Sequence, residues 1–370
     1  MTEADVIVVG AGMAGASLAA SLTAGTKVVV LEAEEAPGQH ATGRSAALYS
    51  EIYGNAVIRT LTRASRAAIL ADDGRFARPR GCLHLASAAQ MERLEAFAAL
   101  PDVAAASCRM SAAEVLAAVP LLRPDYVAGA VAELNAYDLD VDALHQAYLR
   151  QVRAAGGAVR CDARVAAGTH ENGRWRIEAG RETFAAPVVV NAAGAWGDRV
   201  AAALGVAPLG LEPKRRTVAL VPGPESDGWQ DGPAIIDIDE QFYFKPDAGR
   251  MLVSPADETP SEPCDAFPDG VDVATAIDRM QGAANLPVKR VLATWAGLRT
   301  FTPDRTPAVG FEGRAEGFFW HVGQGGYGIQ TAPAMGRLGA SLVEGRGVPA
   351  DLADLGLTVA AVAPGRFRAG

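Results

Sequence analysis

The sequence predicts a two-domain α/β protein, one domain a parallel sheet holding a dinucleotide and the other built on antiparallel strands. The first observation is a continuous apolar run, Val6-Ile7-Val8-Val9. It stops at Gly10-Ala11-Gly12-Met13-Ala14-Gly15 and passes into an Ala/Leu-rich helical pattern from Ala16 to Leu22. The second is the β-branched run Lys27-Val28-Val29-Val30-Leu31, which ends on Glu32 about twenty residues after Gly12. The third is Val188-Val189-Val190-Asn191-Ala192-Ala193-Gly194-Ala195-Trp196, a buried strand ending in small residues before a helix at Asp198 to Leu204. Strands that each end in Gly or Ala suit a parallel sheet with its ligand at the carboxyl edge. Within G-x-G-x-x-G, Gly10 permits the tight turn, Gly12 lets backbone approach a pyrophosphate, and Gly15 lets helix and strand pack closely. The helix N-terminus offers N–H groups and a positive dipole end to phosphates, and Glu32 is placed to accept hydrogen bonds from ribose hydroxyls.

A chain of 370 residues suffices for one large or two medium domains with a substantial core. Its formal net charge of −9 argues against a nucleic-acid partner, because phosphate binding rests on basic patches. Residues 6–26 carry no charge, yet four glycines with Ser and Thr fit the dinucleotide turn better than a membrane span. Glu3 and Asp5 precede that run where a secretory signal has a basic start, so a cytoplasmic location is the default expectation. Cys82, Cys108, Cys161 and Cys264 are scattered without C-x-x-C spacing, and the five histidines are equally dispersed. Neither a disulfide framework nor a metal site is expected.

Ala36-Pro37-Gly38 marks a turn, followed by the small, polar stretch Gln39 to Leu48 and a helical pattern from about Asn55 to Leu70. Small residues there let backbone pass close to a flat ligand, with Arg44 and Ser45 as donors; a plain surface loop is the alternative. Residues 73–135 bring a short strand at Cys82-Leu83-His84-Leu85 and amphipathic helices at Ala88–Leu100 and Ser111–Val119, the first piece of the second domain. Asp140 or Asp142 caps a helix from about Ala143 to Ala155. Gly156–Cys161 and Arg174–Ile177 read as strands around a turn. From Leu209 to Leu292 the strands alternate in antiparallel fashion (Thr217–Val221, Phe242–Phe244, Met251–Val253), interrupted by a helix near Val271–Ala284. A strand at Phe318–Val322 runs into Gly323–Gln330, and a helix from about Ala332 to Glu344 is expected to end the chain.

Five stretches together resemble the FAD-dependent amine and amino-acid oxidoreductases of the D-amino-acid oxidase and glycine oxidase group: Val8–Gly15, His40–Ala47, Val190–Trp196, Trp295–Arg299 and Gly325–Gln330. Lys214-Arg215-Arg216 and Phe242–Gly249 are similar to the D-arginine dehydrogenase branch of that family. The resemblance implies a Rossmann-like FAD-binding domain, residues 1–76, 138–205 and 297–370, interrupted by a substrate domain with a mixed antiparallel sheet, 77–137 and 206–296. It implies hydride transfer from an amine carbon to the flavin, giving an imine that hydrolyses to a keto acid and ammonia, with oxygen, a quinone or another carrier as electron acceptor. Ala14, Glu32, Ala33, the stretch Ala41, Thr42, Gly43, Arg44, Ser45, Ala46, Ala47 and Leu48, Val165, and Gly325, Gly326, Tyr327, Gly328, Ile329 and Gln330 match flavin-contacting positions, beside Gly10, Gly12, Gly15, Ala193 and Gly194. Tyr53, Arg216, Tyr243, Arg299 and Gly326 match substrate-contacting ones.

The chain departs from the arginine-oxidising pattern at Leu48, where a histidine stands, and at Gly81, where a glutamate faces the substrate's cation. Neutral or apolar D-amino acids are therefore the expected substrates, unless Glu51 swings a carboxylate to the pocket mouth. Arg44 stands at the histidine of covalent-flavin members and no cysteine follows Cys264, so FAD is expected to be non-covalent. A planar arginine fixes a carboxylate bidentately, and Arg299 is the first choice for that clamp, with Tyr53 and Tyr243 as supporting donors or as core tyrosines. Arg216 reads equally as a substrate contact or a structural ion pair. The helix after Gly328 is expected to stabilise negative charge on the reduced flavin. Alternatives are a relative acting on glycine, an N-methyl amino acid or a 2-hydroxy acid, and a flavin-binding subunit without turnover.

Overall fold

The computed structural model describes residues 1–225 and 228–368. Val6–Val9 and Val28–Leu31 pair in parallel, as two all-buried β-branched runs must when both sheet faces are covered. They lie in a six-stranded sheet ordered Ala158–Arg160, Val28–Leu31, Val6–Val9, Val188–Asn191, Phe318–Val322, Ala308–Phe311, parallel throughout except for the last strand. That antiparallel edge strand had no signal in the sequence beyond its turn residues.

The helix Met13–Ser21 starts directly on the glycine turn and packs against the later helix Ala332–Val343. Both helices are made of small residues where they meet: a Cβ at Gly336 would stand 2.6 Å from the Ser17 carbonyl oxygen. Ala332–Val343 does not end the chain, since short helices Ala350–Asp354 and Val359–Val362 follow.

A larger sheet runs from Gln324–Gly325 through Ala293–Phe301, Glu212–Pro222, Arg250–Ser254, Tyr243–Asp247, Ala234–Asp237, Cys82–Ala86 and Gly129–Glu133 to Cys108–Ser111. Its pairs are antiparallel except for Ala234–Asp237 beside Cys82–Ala86. Helix Gly270–Ala283 and the residues around Leu83, Phe244 and Met280 close one face of this sheet into a core. A three-stranded ribbon of Leu48–Tyr49, Tyr137–Leu139 and Ala77–Pro79 ties the stretch after the cofactor loop to both sheets.

The two strands read as flanking one turn go to different sheets. Ala158–Arg160 joins the parallel sheet, whereas Arg174–Ala179 pairs with Val165–Glu171 and Glu182–Ala186 in a four-stranded layer. A period-2 pattern reports which face is buried and not which strand lies alongside.

His84 and His321 are buried without a hydrogen bond to one ring nitrogen and to both, respectively, and burial lowers each to a pKa of about 4. An unfolded histidine takes its proton near pH 6.5, so the unfolded chain gains protons first as pH falls. Each group therefore contributes stability at pH 7 that is lost between about 6.5 and 4. For His321→Leu, the unfolding free energy relative to the native chain should rise by about 2 kcal/mol from pH 7 to pH 5. Urea titrations at the two pH values measure this, and a pH-independent difference would refute it.

Candidate active site

A cleft of about 420 Å³ follows the carboxyl edge of the parallel sheet and continues under the large sheet. At one end lie Glu32, Ala33, Ala163 and Val165; in the middle Gly10, Gly12, Ala14, Thr42, Ala193 and Gly194; at the far end Arg216, Tyr243, Gly297, Arg299 and Gly326.

The near end fits a dinucleotide on its own geometry. Gly10 has φ +103° and a Cβ there would sit 2.5 Å from the Ala192 carbonyl oxygen, while one at Gly15 would sit 1.9 Å from the Gly10 carbonyl oxygen. Only glycines allow the strand, the turn and the helix to come this close. The first turn of Met13–Ser21 has no side-chain cap from Gly12, and the Met13 N–H donates to Thr42 Oγ1 at 2.9 Å. Thr42 thereby ties the second small-residue stretch to the helix end that faces the cleft. Glu32 accepts from the Ala11 N–H at 3.0 Å and the Glu34 N–H at 3.1 Å, which fixes its carboxylate at the cleft wall with acceptor capacity left over.

Arg44 lines the cleft, but its guanidinium is spent on structure. It donates to the carbonyls of Ala266 and Ala296 at 2.9 and 3.0 Å and pairs with Asp265. Gly297 makes room for it, since a Cβ there would meet Arg44 Cβ at 3.1 Å. The loop Gln39–Ala46 is thus bolted to the large sheet across the cleft.

At the far end Arg299 projects from the Ala293–Phe301 strand and donates to the Tyr53 hydroxyl at 3.3 Å. No carboxylate among the described residues forms an ion pair with it. Gly326 is what lets the guanidinium lie against the glycine turn: a Cβ there would be 2.7 Å from Arg299 Nη1. The Tyr243 hydroxyl is buried and has no hydrogen-bond partner, and neither has Thr300 Oγ1 on the same wall. A buried phenol without a partner costs about 1–3 kcal/mol.

Arg216 lines the cleft and also makes structural contacts. It donates from Nε to the Asp257 carbonyl at 2.8 Å, pairs with Glu258 at 3.5 Å and lies over the Tyr243 ring. Glu258 is shared with Arg305 and Lys214, and although burial opposes it, those cations hold its pKa down to about 2.

Several candidates stand off the cleft. Gln330 is buried and spends its amide on the Ser50 backbone and Thr62 Oγ1. Gly43, Ala47, Leu48 and Gly81 do not line the cleft; Leu48 packs with Cys82, Ala136, Ala234, Ile236 and Tyr243 just beyond it. Tyr53 and Tyr327 meet edge to face at 4.8 Å and line a second cavity of about 410 Å³, reaching the first through Arg299. Glu51 cannot supply a cation partner at the mouth, because its buried carboxylate accepts from the Tyr49 hydroxyl and pairs with Arg66. Its cationic partner Arg66 lies on the helix Ala56–Ile69, a contact that no local spacing announces. Thr300, Gln324, Trp196 and Ala163 line the cleft without having been singled out from the sequence.

Such a cleft defines a class: oxidoreductases that lay a dinucleotide along the edge of a parallel sheet and present a substrate at its far end. The pattern of the DAO family, FAD dependent oxidoreductase, matches residues 5–342. The chain belongs to this family, is an enzyme of it and uses FAD. It is similar to FAD-dependent oxidoreductase domain-containing protein 1 of Xenopus laevis, 32% identical over 42% of this chain and 34% of that protein. It is also similar to the D-amino acid dehydrogenase of Neisseria gonorrhoeae, 32% identical over 25% of this chain and 18% of that protein. Glycine oxidase of Geobacillus kaustophilus is 30% identical over 48% of this chain and 45% of its own length, so these alignments cover less than half of each relative. In three dimensions the glycine oxidase fold covers 96% of this chain and 98% of that one, with a TM-score of 0.80 at 23% identity. No helix among the described residues is long and apolar enough to cross a membrane.

Proposed function

We propose that this enzyme oxidises D-amino acids with neutral or apolar side chains to imines, which water hydrolyses to keto acids and ammonia. The observation that carries the reading is the unpaired Arg299 guanidinium set beside Tyr53 and the unpartnered Tyr243 hydroxyl. A carboxylate there receives two N–H bonds in a fixed plane, and Tyr53, accepting from Arg299, keeps its own proton free to donate. Bound FAD supplies the acceptor for the hydride that leaves the α-carbon. The near-end groups, Glu32 with the Gly10–Gly15 turn and Thr42, would hold the adenosine and pyrophosphate portions, and the backbone of Gly325, Gly326, Gly328 and Ile329 would face the ring system. Because Arg44 stands where covalent-flavin members carry a histidine and no cysteine follows Cys264, the cofactor would be held without a covalent bond.

Residues 1–76, 138–205 and 297–370 serve the cofactor in this reading, and 77–137 and 206–296 cover the substrate. The side-chain preference is supported by Glu51, whose carboxylate is buried against Tyr49 and Arg66 and so is not available to a cationic side chain. Enclosing a guanidinium without a partner leaves a charge unpaired, whereas an apolar side chain gains roughly 25 cal/mol per Å² buried. Likeness to a D-amino acid dehydrogenase and a glycine oxidase supports the amino-acid class.

The test is anaerobic bleaching of the yellow protein by a panel of D- and L-amino acids, glycine, sarcosine and 2-hydroxy acids. D-leucine, D-methionine and D-phenylalanine should exceed D-arginine about a hundredfold or more in kcat/KM, a difference of about 2.7 kcal/mol. Bleaching by glycine or a 2-hydroxy acid alone would replace this substrate class.

A further inference from the structure

Glu133 closes the strand Gly129–Glu133 and is 1% exposed, yet no cation pairs with it among the described residues. Its carboxylate accepts from Ser50 Oγ at 2.5 Å and from the Glu51 N–H at 2.6 Å. The same Ser50 peptide is held from the other side by Gln330, which accepts from its N–H and donates to its carbonyl. Three residues after Ser50 stands Tyr53, whose hydroxyl accepts from Arg299. The chain between the two sheets is thus pinned one short step before the substrate end of the cleft, and the pin is an ionisable group.

We propose that Glu133 is a positioning residue of the substrate site: by fixing the Ser50–Glu51 turn it sets Tyr53 against Arg299. This rests on the reading of Arg299 and Tyr53 as the carboxylate clamp. An ionised Glu133 accepts both bonds, and a protonated one gives up acceptor strength toward the Glu51 N–H. Burial raises its pKa to about 7, against the two hydrogen bonds that lower it. The charged and titratable groups facing it are Glu51 and Tyr49 on its own side of the turn, Arg66 from the helix Ala56–Ile69, and Cys82, its register partner in Cys82–Ala86. Of these, Arg66 is committed to Glu51, and burial keeps the Cys82 thiol and the Tyr49 phenol protonated. The clamp therefore firms as pH rises through about 7.

The experiment is a double-mutant cycle of Glu133→Gln and Tyr53→Phe in the FAD-loaded enzyme. It reads benzoate affinity from the flavin spectrum and KM for D-methionine, each from pH 6 to 8.5. Glu133→Gln should retain its FAD, weaken benzoate roughly tenfold, raise KM more than it lowers kcat, and lose the pH dependence near 7. In the Tyr53→Phe background the same change should cost less than twofold, because the effect passes through Tyr53. Equal cost in both backgrounds, or unchanged affinity with an unchanged pH profile, would overturn the inference. Should Glu133→Gln fail to fold, Ser50→Ala, which removes one of the two bonds, takes its place in the cycle with the same loss of affinity expected, its pH dependence kept and moved upward because a bond that favours the ionised form is gone. Arg299→Ala runs alongside. Full benzoate affinity there would bring down the clamp itself. Its loss there, with Glu133→Gln inert, would remove only the role given to Glu133.

Discussion

Arg299→Ala should lower kcat/KM for an amino acid by about 2–5 kcal/mol, roughly thirtyfold to several thousandfold, while FAD stays bound. The size comes from the substrate rather than from the protein. A carboxylate enclosed at the far end of the cleft without its bidentate partner keeps its desolvation cost and loses the compensation. Arg299→Lys should recover part of this, since a point charge replaces a planar fork. The contrast with Arg216 makes the test sharp. Arg216 already donates to Asp257 and has Glu258 as an ionic partner, whereas Arg299 has no carboxylate beside it, so Arg216→Ala should also disturb the packing around Glu258. Steady-state rates with flavin content measured on the same samples decide the matter. A variant with near-native kcat/KM would show that the carboxylate is held elsewhere.

Gly15→Ala should yield a protein with little or no FAD. The added Cβ would lie 1.9 Å from the Gly10 carbonyl oxygen and 3.1 Å from Val8 Cγ1, which are backbone and a packed strand rather than the tip of a flexible chain. The helix Met13–Ser21 must move away from the strand, carrying its N-terminus off the cleft. Overpacking of this kind costs about 3 kcal/mol, which corresponds to a factor of at least a hundred in cofactor affinity. Flavin absorbance per polypeptide after gel filtration measures it, and a fully yellow variant would refute it. In the native protein the flavin should pass entirely into the supernatant on acid precipitation; flavin remaining on the polypeptide would show a covalent link.

The glycine turn, the acid after the second strand and the buried Val188–Asn191 strand were legible because each is a local pattern with a local cause. The strand before Arg299 was legible too, and the structure puts Arg299 on the wall of the cleft. What escaped is the partner of a side chain when that partner lies far along the chain. Glu51 reads as a free acid near the pocket until Arg66 and Tyr49 are seen to hold it. Gln330 reads as one more residue of a ligand-facing turn until Ser50 and Thr62 are seen to take its amide. The Val165–Glu171 strand was missed for a related reason. Its exposed positions blur the alternation that burial would impose, and its pairing with Arg174–Ala179 is what orders it.

The unpartnered Tyr243 hydroxyl and the unpaired Arg299 bear on how the molecule is built as well as on what it binds. Arg299 without a carboxylate and Tyr243 without any partner are a local frustration inside a fold that is otherwise closely packed, with its glycine-tight helix pair and buried parallel strands. On the proposed reading the Tyr53 contact holds the Arg299 guanidinium in place before a carboxylate arrives, so binding does not have to reorient it. The same feature couples occupancy to folding. On that reading a carboxylate held by Arg299 binds the folded chain and not the unfolded one, so substrate itself should act as a stabiliser that grows with its concentration over Kd.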